Sequence, residues 1–164
     1  MIEPELFKLG MRRMASSVSI VTTASGGARH GMVATAVSSV SADPPSMLVC
    51  VNRSASCHDP MSRSGSFCIN LLDAADGAMA RRFSSPEYRK VRFDGREWDT
   101  LVTGAPALVD ALASFDCEVT QAVSVDSHTV YVGRVVAARL RPTEVTPLIY
   151  LDGRYKTIAS APAA

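Results

Sequence analysis

The segment from Gly31 to Pro45, GMVATAVSSVSADPP, most constrains how this chain folds. Small and β-branched residues alternate from Met32 to Val40, which predicts a β-strand. This strand should end at Asp43-Pro44-Pro45, because proline has no backbone N–H for a sheet ladder. Side chains this small leave a flat surface on which backbone groups and hydroxyls can contact a planar ligand. The segment is also compatible with a half-buried strand whose outer face is simply polar.

The composition is that of an ordinary globular domain. The chain has 164 residues, of which 47% are hydrophobic and 20% are charged, enough for one core. A formal net charge of +1 provides no long-range field for nucleic acid or an anionic membrane. No stretch approaches the roughly 20 apolar residues of a membrane span. We therefore expect neither nucleic acid nor a membrane as a partner.

The start of the chain and its cysteines favour a cytoplasmic location. The first residues, MIEPELFK, include acidic side chains and no apolar run, so a secretory signal is not expected. The four cysteines show neither a CxxC nor a zinc-finger spacing, so we expect free thiols. The three histidines are isolated from one another, and no metal site is predicted.

The pattern of elements predicts mainly β structure. A helix is expected over residues 3–14, and hairpins around Gly26-Gly27 and Asp152-Gly153. Two long strands are expected over Ala111–Val123 and Thr129–Leu140. Many strands, few helices and hairpin connections indicate a closed or nearly closed antiparallel barrel with helices packed outside it.

Two short helices and one long loop complete the prediction. One helix should cover Ser54–Arg63, capped by Ser54 or Ser56, and a second should cover residues 74–83, capped by Asp73. Residues 84–104 are predicted to form a polar loop, and loops of this length in a compact domain are more often functional than not.

A series of short motifs occurs in one order along the chain. Together they resemble the short-chain flavin reductases, which supply reduced flavin to two-component monooxygenases. The resemblance runs from about Met11 to Ile158, the expected core of a single domain over residues 1–164. Besides the opening segment, the motifs are CVNRS at 50–54, SFCINL at 66–71, Phe93, Trp98, GAP at 104–106, Cys117-Glu118, SHT at 127–129, GRV at 133–135 and GRY at 153–155.

The resemblance implies a fold and an activity. The fold is a split β-barrel with Greek-key connections, the FMN-binding split barrel, assembled as a homodimer. The implied activity is hydride transfer from NAD(P)H to FMN or FAD, which gives diffusible reduced flavin to a separate monooxygenase. NADH is favoured over NADPH because no arginine cluster is evident for a 2′-phosphate.

The resemblance also implies which residues form the site. His128 is the expected catalytic residue, because the family carries a Gly-Asp-His or Gly-Ser-His motif beside the nicotinamide where this chain has Asp126-Ser127-His128. The nicotinamide side would also include Ser127, Tyr150, Arg154 and Tyr155. The flavin would contact Met32, Val33, Ala34, Thr35, Ser38 and Ser39. Arg82 and Phe83 would lie against the flavin tail or across the dimer interface.

A phosphate site is predicted at the end of the strand that contains Cys50. There, Asn52, Arg53, Ser54 and Ser56 combine free N–H groups at a helix start with a bidentate cation.

Two other functions stay open. The chain could be a split-barrel protein that binds flavin without reductase turnover, or a split-barrel oxidoreductase acting on a pyridoxine phosphate or a corrinoid. The sequence has no evident acid–base pair, as expected where cofactors carry the hydride chemistry.

Overall fold

The computed structural model describes residues 2–158 of the chain. The α-helices are Pro4–Met11 (α1), His58–Ser64 (α2) and Gly77–Ser84 (α3), and short 3-10 turns cover Ala74–Asp76 and Pro86–Tyr88. The strands are Ser16–Ser17 (β1), Ser19–Ser25 (β2), Ala28–Ala34 (β3), Val37–Ala42 (β4), Pro45–Asn52 (β5), Ser66–Leu71 (β6), Trp98–Thr100 (β7), Pro106–Leu108 (β8), Ala113–Val125 (β9), His128–Leu140 (β10), Ile149–Leu151 (β11) and Arg154–Lys156 (β12). Within residues 2–158, no helix has both the length and the apolar character needed to cross a membrane.

The main sheet closes on itself at one short connection. Its seven strands are antiparallel and lie in the order β3-β2-β6-β9-β10-β5-β4. The two outermost strands, β3 and β4, follow each other in the chain with only Thr35 and Ala36 between them. The three Cα–Cα steps from Ala34 to Val37 span at most about 11 Å, so the ends of the sheet must meet. This connection, Thr35-Ala36, is the seam of the barrel, and the Cys50 N–H donates to the Ala36 carbonyl at 3.0 Å, which extends the β4–β5 ladder up to it.

The strand order also contains a Greek key. Strands β6, β9, β10 and β5 are spatial neighbours, and the connection from β5 to β6 crosses the intervening pair through α2. This arrangement is a Greek key. The predicted fold, a mainly β split barrel with Greek-key connections, is confirmed.

The opening segment differs from its prediction as one continuous strand. It forms β3 and β4 with a break at Thr35-Ala36, because the Ala36 carbonyl bonds to β5 while β3 pairs with β2. The predicted end is confirmed: Asp43 and Pro44, joined by a cis peptide bond, form the turn between β4 and β5.

Besides Asp43-Pro44, three further two-residue turns connect hairpins. Gly26-Gly27 and Asp152-Gly153 have positive φ at both positions, as hairpin turns of type I′ require. Both predicted hairpins are confirmed. The third turn, Asp126-Ser127, joins the long strands β9 and β10, and Asp126 takes the left-handed conformation at φ 46°.

Helix α2 begins later than predicted. Ser54 and Ser56 lie before its start, and the helix begins at His58 without a side-chain cap. A start at His58 puts Pro60 in the first turn, where its missing N–H is not needed. The Asp73 cap is confirmed, because its carboxylate accepts from the Ala75 N–H at 3.0 Å.

Two hydrophobic clusters lie on opposite faces of the sheet. The inner cluster fills the barrel, and the outer cluster lies between the sheet, α3 and the segment after it. The inner cluster includes Val21, Val49, Val51, Cys57, Met61, Phe67, Ile69, Cys117 and Tyr131. The outer cluster includes Val18, Ile20, Met79, Phe83, Phe93, Leu108 and Leu148.

The predicted polar loop over residues 84–104 is mostly exposed turns, with the short strand β7 in it and two buried side chains, Arg92 and Phe93. Phe93 is 8% exposed, and its ring lies 5.0 Å from that of Trp98. Arg92 is buried, and its guanidinium donates to the carbonyls of Gly31 and Ser85. This segment therefore covers the outer cluster and ties α3 to β3.

Gly133 allows the inner cluster to fill the barrel. A Cβ added at this position would lie 2.7 Å from the Phe67 ring and 2.8 Å from the Cys117 Cβ. We predict that Gly133→Ala lowers the free energy of unfolding by about 1–3 kcal/mol through overpacking, measured by urea denaturation. Gly10→Ala is the control, because a Cβ there would meet nothing within 4 Å. Equal stability of Gly133→Ala and the unaltered protein would contradict this packing.

Candidate functional site

The principal candidate site is a cavity of about 400 Å³ beside the seam of the barrel. This volume is within the usual range for small-molecule sites. Its walls come from the end of β3, from α3 and from the closing hairpin β11–β12. The lining residues are Val18, Val33, Ala34, Thr35, Arg81, Ser84, Tyr150, Gly153 and Tyr155.

The β3 wall brings together part of the predicted flavin floor. Val33, Ala34 and Thr35 line the cavity, whereas the side chain of Met32 packs against the inner cluster. Neighbouring side chains on a strand point to opposite faces, so Met32 can offer only its backbone to a ligand on the Val33 side.

The closing hairpin supplies two tyrosines. The rings of Tyr150 and Tyr155 meet edge to face at 5.5 Å. Burial raises the pKa of Tyr155, the neighbouring Tyr150 adds to the rise, and the positive charge of Arg81 opposes it. Arg154 is exposed and does not line this cavity, because alternation along β12 directs it away from Tyr155.

Gly153 holds this hairpin against the end of α1. Its φ is +74°, and a Cβ added there would lie 2.6 Å from Nη2 of Arg12. The Asp152 N–H donates to the Arg12 carbonyl at 2.8 Å. Only glycine combines this backbone conformation with this close approach.

Helix α3 presents Arg81 to the cavity. Arg81 and Ser84 are three residues apart and share one helix face, and among residues 2–158 Arg81 makes no ion pair. The predicted tail contacts lie elsewhere. Arg82 donates to the Asp94 carbonyl at 2.6 Å, and Phe83 is 2% exposed within the outer cluster. The Phe83 ring is therefore core, and Arg81, which the sequence did not single out, is the arginine of α3 that lines the candidate cavity.

Ser38 and Ser39 lie beyond Thr35. They line an adjoining cavity of about 420 Å³ with Val37 and Met47. A third cavity, of about 500 Å³, lies between α1 and the seam and shares Thr35 and Tyr150 with the principal cavity. Thr35 is thus a wall common to all three cavities.

A second group of predicted residues meets at the start of β10. His128 pairs with Asn52 in the strand register, and the Arg53 N–H donates to the Ser127 carbonyl at 2.9 Å. The Ser127 hydroxyl lies 2.9 Å from Nδ1 of the exposed His128. Asp126, which stands where the resembled motif has glycine, takes the left-handed conformation, and aspartate tolerates this conformation.

The predicted phosphate site is altered by local hydrogen bonds. Oδ1 of Asn52 accepts from both the N–H and the hydroxyl of Ser54, at 2.9 Å and 2.8 Å. Those donors are therefore already used, and Ser56 is exposed in the turn before α2. Arg53 remains exposed and near Ser127, but no helix start supports it.

The residues at the start of β10 and the seam beside the principal cavity lie close together along the strands. Cys50 bonds to Ala36 at the seam and pairs with Val130, and Asn52 pairs with His128 two residues further along. Two residues of a strand cover about 7 Å. The start of β10 and the seam therefore belong to the same end of the barrel.

His58 is the second residue that the sequence analysis missed. Its Nδ1 lies 2.9 Å from Oδ1 of Asp59, and its Nε2 lies 2.9 Å from Oγ1 of Thr129. The bond with His58 is the main cause that lowers the pKa of Asp59. No local sequence signal indicates a contact between positions 71 residues apart.

Within residues 2–158, no group of three or more His, Cys, Asp or Glu side chains is placed to hold a metal ion. Cys57, Cys68 and Cys117 are buried free cysteines. Burial raises the pKa of the Cys57 and Cys117 thiols to about 12, so neither is a thiolate at neutral pH.

Comparisons with known proteins agree on one family. Residues 11–159 match the model described as the flavin reductase like domain. FMN reductase (NADH) RutF of Methylorubrum populi is 38% identical over 161 residues, covering 98% of this chain and 79% of that protein. A putative flavin reductase from Haemophilus somnus has a TM-score of 0.92 and 34% identity, covering 96% of this chain and all of that one.

A further solved structure is BorF, the flavin reductase component of a bacterial two-component tryptophan halogenase. It has a TM-score of 0.87 and 30% identity, and the match covers 97% of this chain and 100% of that one. The resemblance drawn from the ordered motifs is confirmed, and this chain belongs to the flavin reductase-like domain family.

Proposed function

We propose that this protein is an NADH-dependent flavin reductase that releases reduced flavin to a separate monooxygenase. The observation that carries the proposal is the cavity at the seam, which joins a small-residue floor, one cation and two tyrosines. FMN is the favoured flavin, because the RutF relatives are named FMN reductase (NADH).

The residues around the cavity fit a flavin. Val33, Ala34 and Thr35 would face the planar ring, because their side chains leave the floor nearly flat. Arg81 would bind the phosphate of the flavin tail, because its guanidinium reaches the cavity without a partner among the described residues and phosphate binds bidentately to arginine. Tyr150 and Tyr155 would close the opposite side.

The chain itself has little chemistry to perform. When bound, flavin supplies the hydride acceptor, and NADH supplies the hydride. The protein must hold the two rings in register at reacting distance, and orientation of this kind contributes much of the acceleration in such reactions. His128 would position the nicotinamide, because the Ser127 hydroxyl holds its imidazole at Nδ1 and the side chain is exposed.

Release of the product is consistent with the site. The cavity is open, and among the described residues Arg81 is the one cation that lines it. BorF, a similar structure, is named as the reductase component of a two-component system. We propose the cytoplasm as the place of action, because NADH is available there.

A homodimer forms part of the proposal. Helix α1 buries none of its residues, and Leu6, Phe7 and Leu9 are each more than half exposed. Apolar patches of this kind are typical of protein interfaces. A second copy of the chain that covers α1 would remove this surface from water.

The proposed activity predicts NADH oxidation that depends on added flavin. The purified protein is mixed with NADH and with FMN or FAD in turn, and the absorbance of NADH is followed. Rapid oxidation with FMN is expected. Bound flavin without NADH consumption would instead identify a flavin-binding protein, and turnover only with a pyridoxine phosphate or a corrinoid would identify a different oxidoreductase.

His128→Ala should impair the use of NADH more than the binding of flavin. We expect the KM for NADH to rise about tenfold, equivalent to about 1.4 kcal/mol, with the Kd for FMN within about twofold. Steady-state kinetics and quenching of flavin fluorescence measure the two quantities. Unchanged values of both would remove His128 from the site.

Arg81→Gln and Arg82→Gln distinguish the two arginines of α3. Loss of a charge-assisted bond of about 1.5–3 kcal/mol should raise the Kd for FMN at least tenfold in Arg81→Gln. Arg82→Gln is the matched control and should change the Kd less than twofold, because Arg82 is bonded to Asp94. The reverse ranking would show that Arg82 holds the flavin tail.

A further inference from the structure

A chain of three polar side chains connects α2 to the start of β10. The imidazole of His58 lies between Asp59 and Thr129, with 2.9 Å from Nδ1 to the carboxylate and 2.9 Å from Nε2 to the hydroxyl. The His58 side chain is 14% exposed, and Thr129 is 6% exposed. The link between His58 and Thr129 is therefore shielded from water, which strengthens it.

Thr129 is the residue next to His128. Successive side chains of a strand point to opposite faces, so Thr129 points inward to α2 while His128 points outward. The inward bond holds the backbone that carries His128. On the other side of His128, the Arg53 N–H holds the Ser127 carbonyl, and the strand start is thus fixed from both directions.

The tautomer of His58 follows from its two partners. A carboxylate at Nδ1 favours the form with the proton on that nitrogen, and Nε2 is then an acceptor. The Thr129 hydroxyl must therefore donate to Nε2, which selects one rotamer for the threonine. The Asp59 carboxylate orients the ring, and the ring orients the strand.

We propose that His58 is a positioning residue for His128 and acts through Thr129. The proposal rests on the proposed function, because it assigns the held group to the nicotinamide. His58 does not touch the substrate. The His58–Thr129 bond fixes the position of His128 at the start of β10. Loss of this bond should weaken the use of NADH without a matching loss of flavin binding.

The same helix and strand share a second bond, which provides a control. The hydroxyls of Ser62 and Tyr131 lie 2.6 Å apart, and Tyr131 is two residues further from His128 along β10. Tyr131 also packs against His58, with ring centroids 5.8 Å apart, and its hydroxyl donates to the His58 carbonyl at 3.4 Å. Ser62→Ala therefore removes one bond between α2 and β10 while Tyr131 keeps its contacts with His58 and the His58–Thr129 bond keeps both partners.

The test compares Thr129→Val, Thr129→Ser and Ser62→Ala. In Thr129→Val the KM for NADH should rise about fivefold, equivalent to about 1 kcal/mol, with kcat and the Kd for FMN within about twofold. Thr129→Ser should keep the KM for NADH at its normal value. Ser62→Ala should also leave the KM unchanged, although both Thr129→Val and Ser62→Ala should lower the stability of the protein. Binding of NAD⁺ followed by calorimetry should give the same ranking without turnover.

A second pair of variants tests the same inference in case Thr129→Val folds poorly. In His58→Gln the amide can reach the place of Nε2, so the KM for NADH should stay within about twofold. In His58→Asn the amide falls short of Thr129, so the KM should rise as in Thr129→Val.

Two results would overturn the inference. An equal rise in KM for Ser62→Ala and Thr129→Val would show a general effect of the α2–β10 contact. A normal KM and normal NAD⁺ binding in Thr129→Val, alongside impaired His128→Ala, would refute the role of His58 while the proposed function stands. If His128→Ala itself behaves normally, the assignment of His128 fails first and the inference fails with it.

Discussion

The connection between β3 and β4 is the constraint on which the rest of the structure depends. These strands are at opposite ends of the seven-stranded order, yet only Thr35 and Ala36 separate them. A flat sheet cannot satisfy both facts, so the sheet must close, and it does so at Thr35-Ala36, where the chain passes from the β2–β3 pair to the β4–β5 pair. Closure encloses the inner cluster and leaves small residues at the seam, where larger side chains would hold the strands apart.

The seam also determines where a ligand can bind. Because Thr35 stands where the ladder is interrupted, it borders three cavities instead of facing one neighbouring strand. The walls of the principal cavity then come from α3 and the closing hairpin. Arg92 ties β3 to the residue after α3 through the carbonyls of Gly31 and Ser85. A packed segment that never touches the ligand therefore maintains the spacing of two cavity walls.

The sequence predicts those features that local chemistry determines. Gly26-Gly27 and Asp152-Gly153 predict their turns, because few residue types other than glycine tolerate positive φ. The break at Thr35-Ala36 has no such signal, since the same small residues also suit a continuous strand, and only pairing with distant Cys50 decides it. The choice of Arg81 over Arg82 follows from which helix face packs on the outer cluster. The bond from His58 to Thr129 exists only once α2 lies on β10.

The distribution of positive charge argues for a loosely held ligand. Arg96 and Arg141 pair with aspartates, and the charge of Arg92 is met by backbone carbonyls. Among the described residues Arg81 is the cation that lines the cavity, with Arg12 beside Gly153 at its edge, and one charge-assisted contact contributes only about 1.5–3 kcal/mol. Loose binding suits the proposed function, because a flavin that stayed on this protein could not carry its electrons to another.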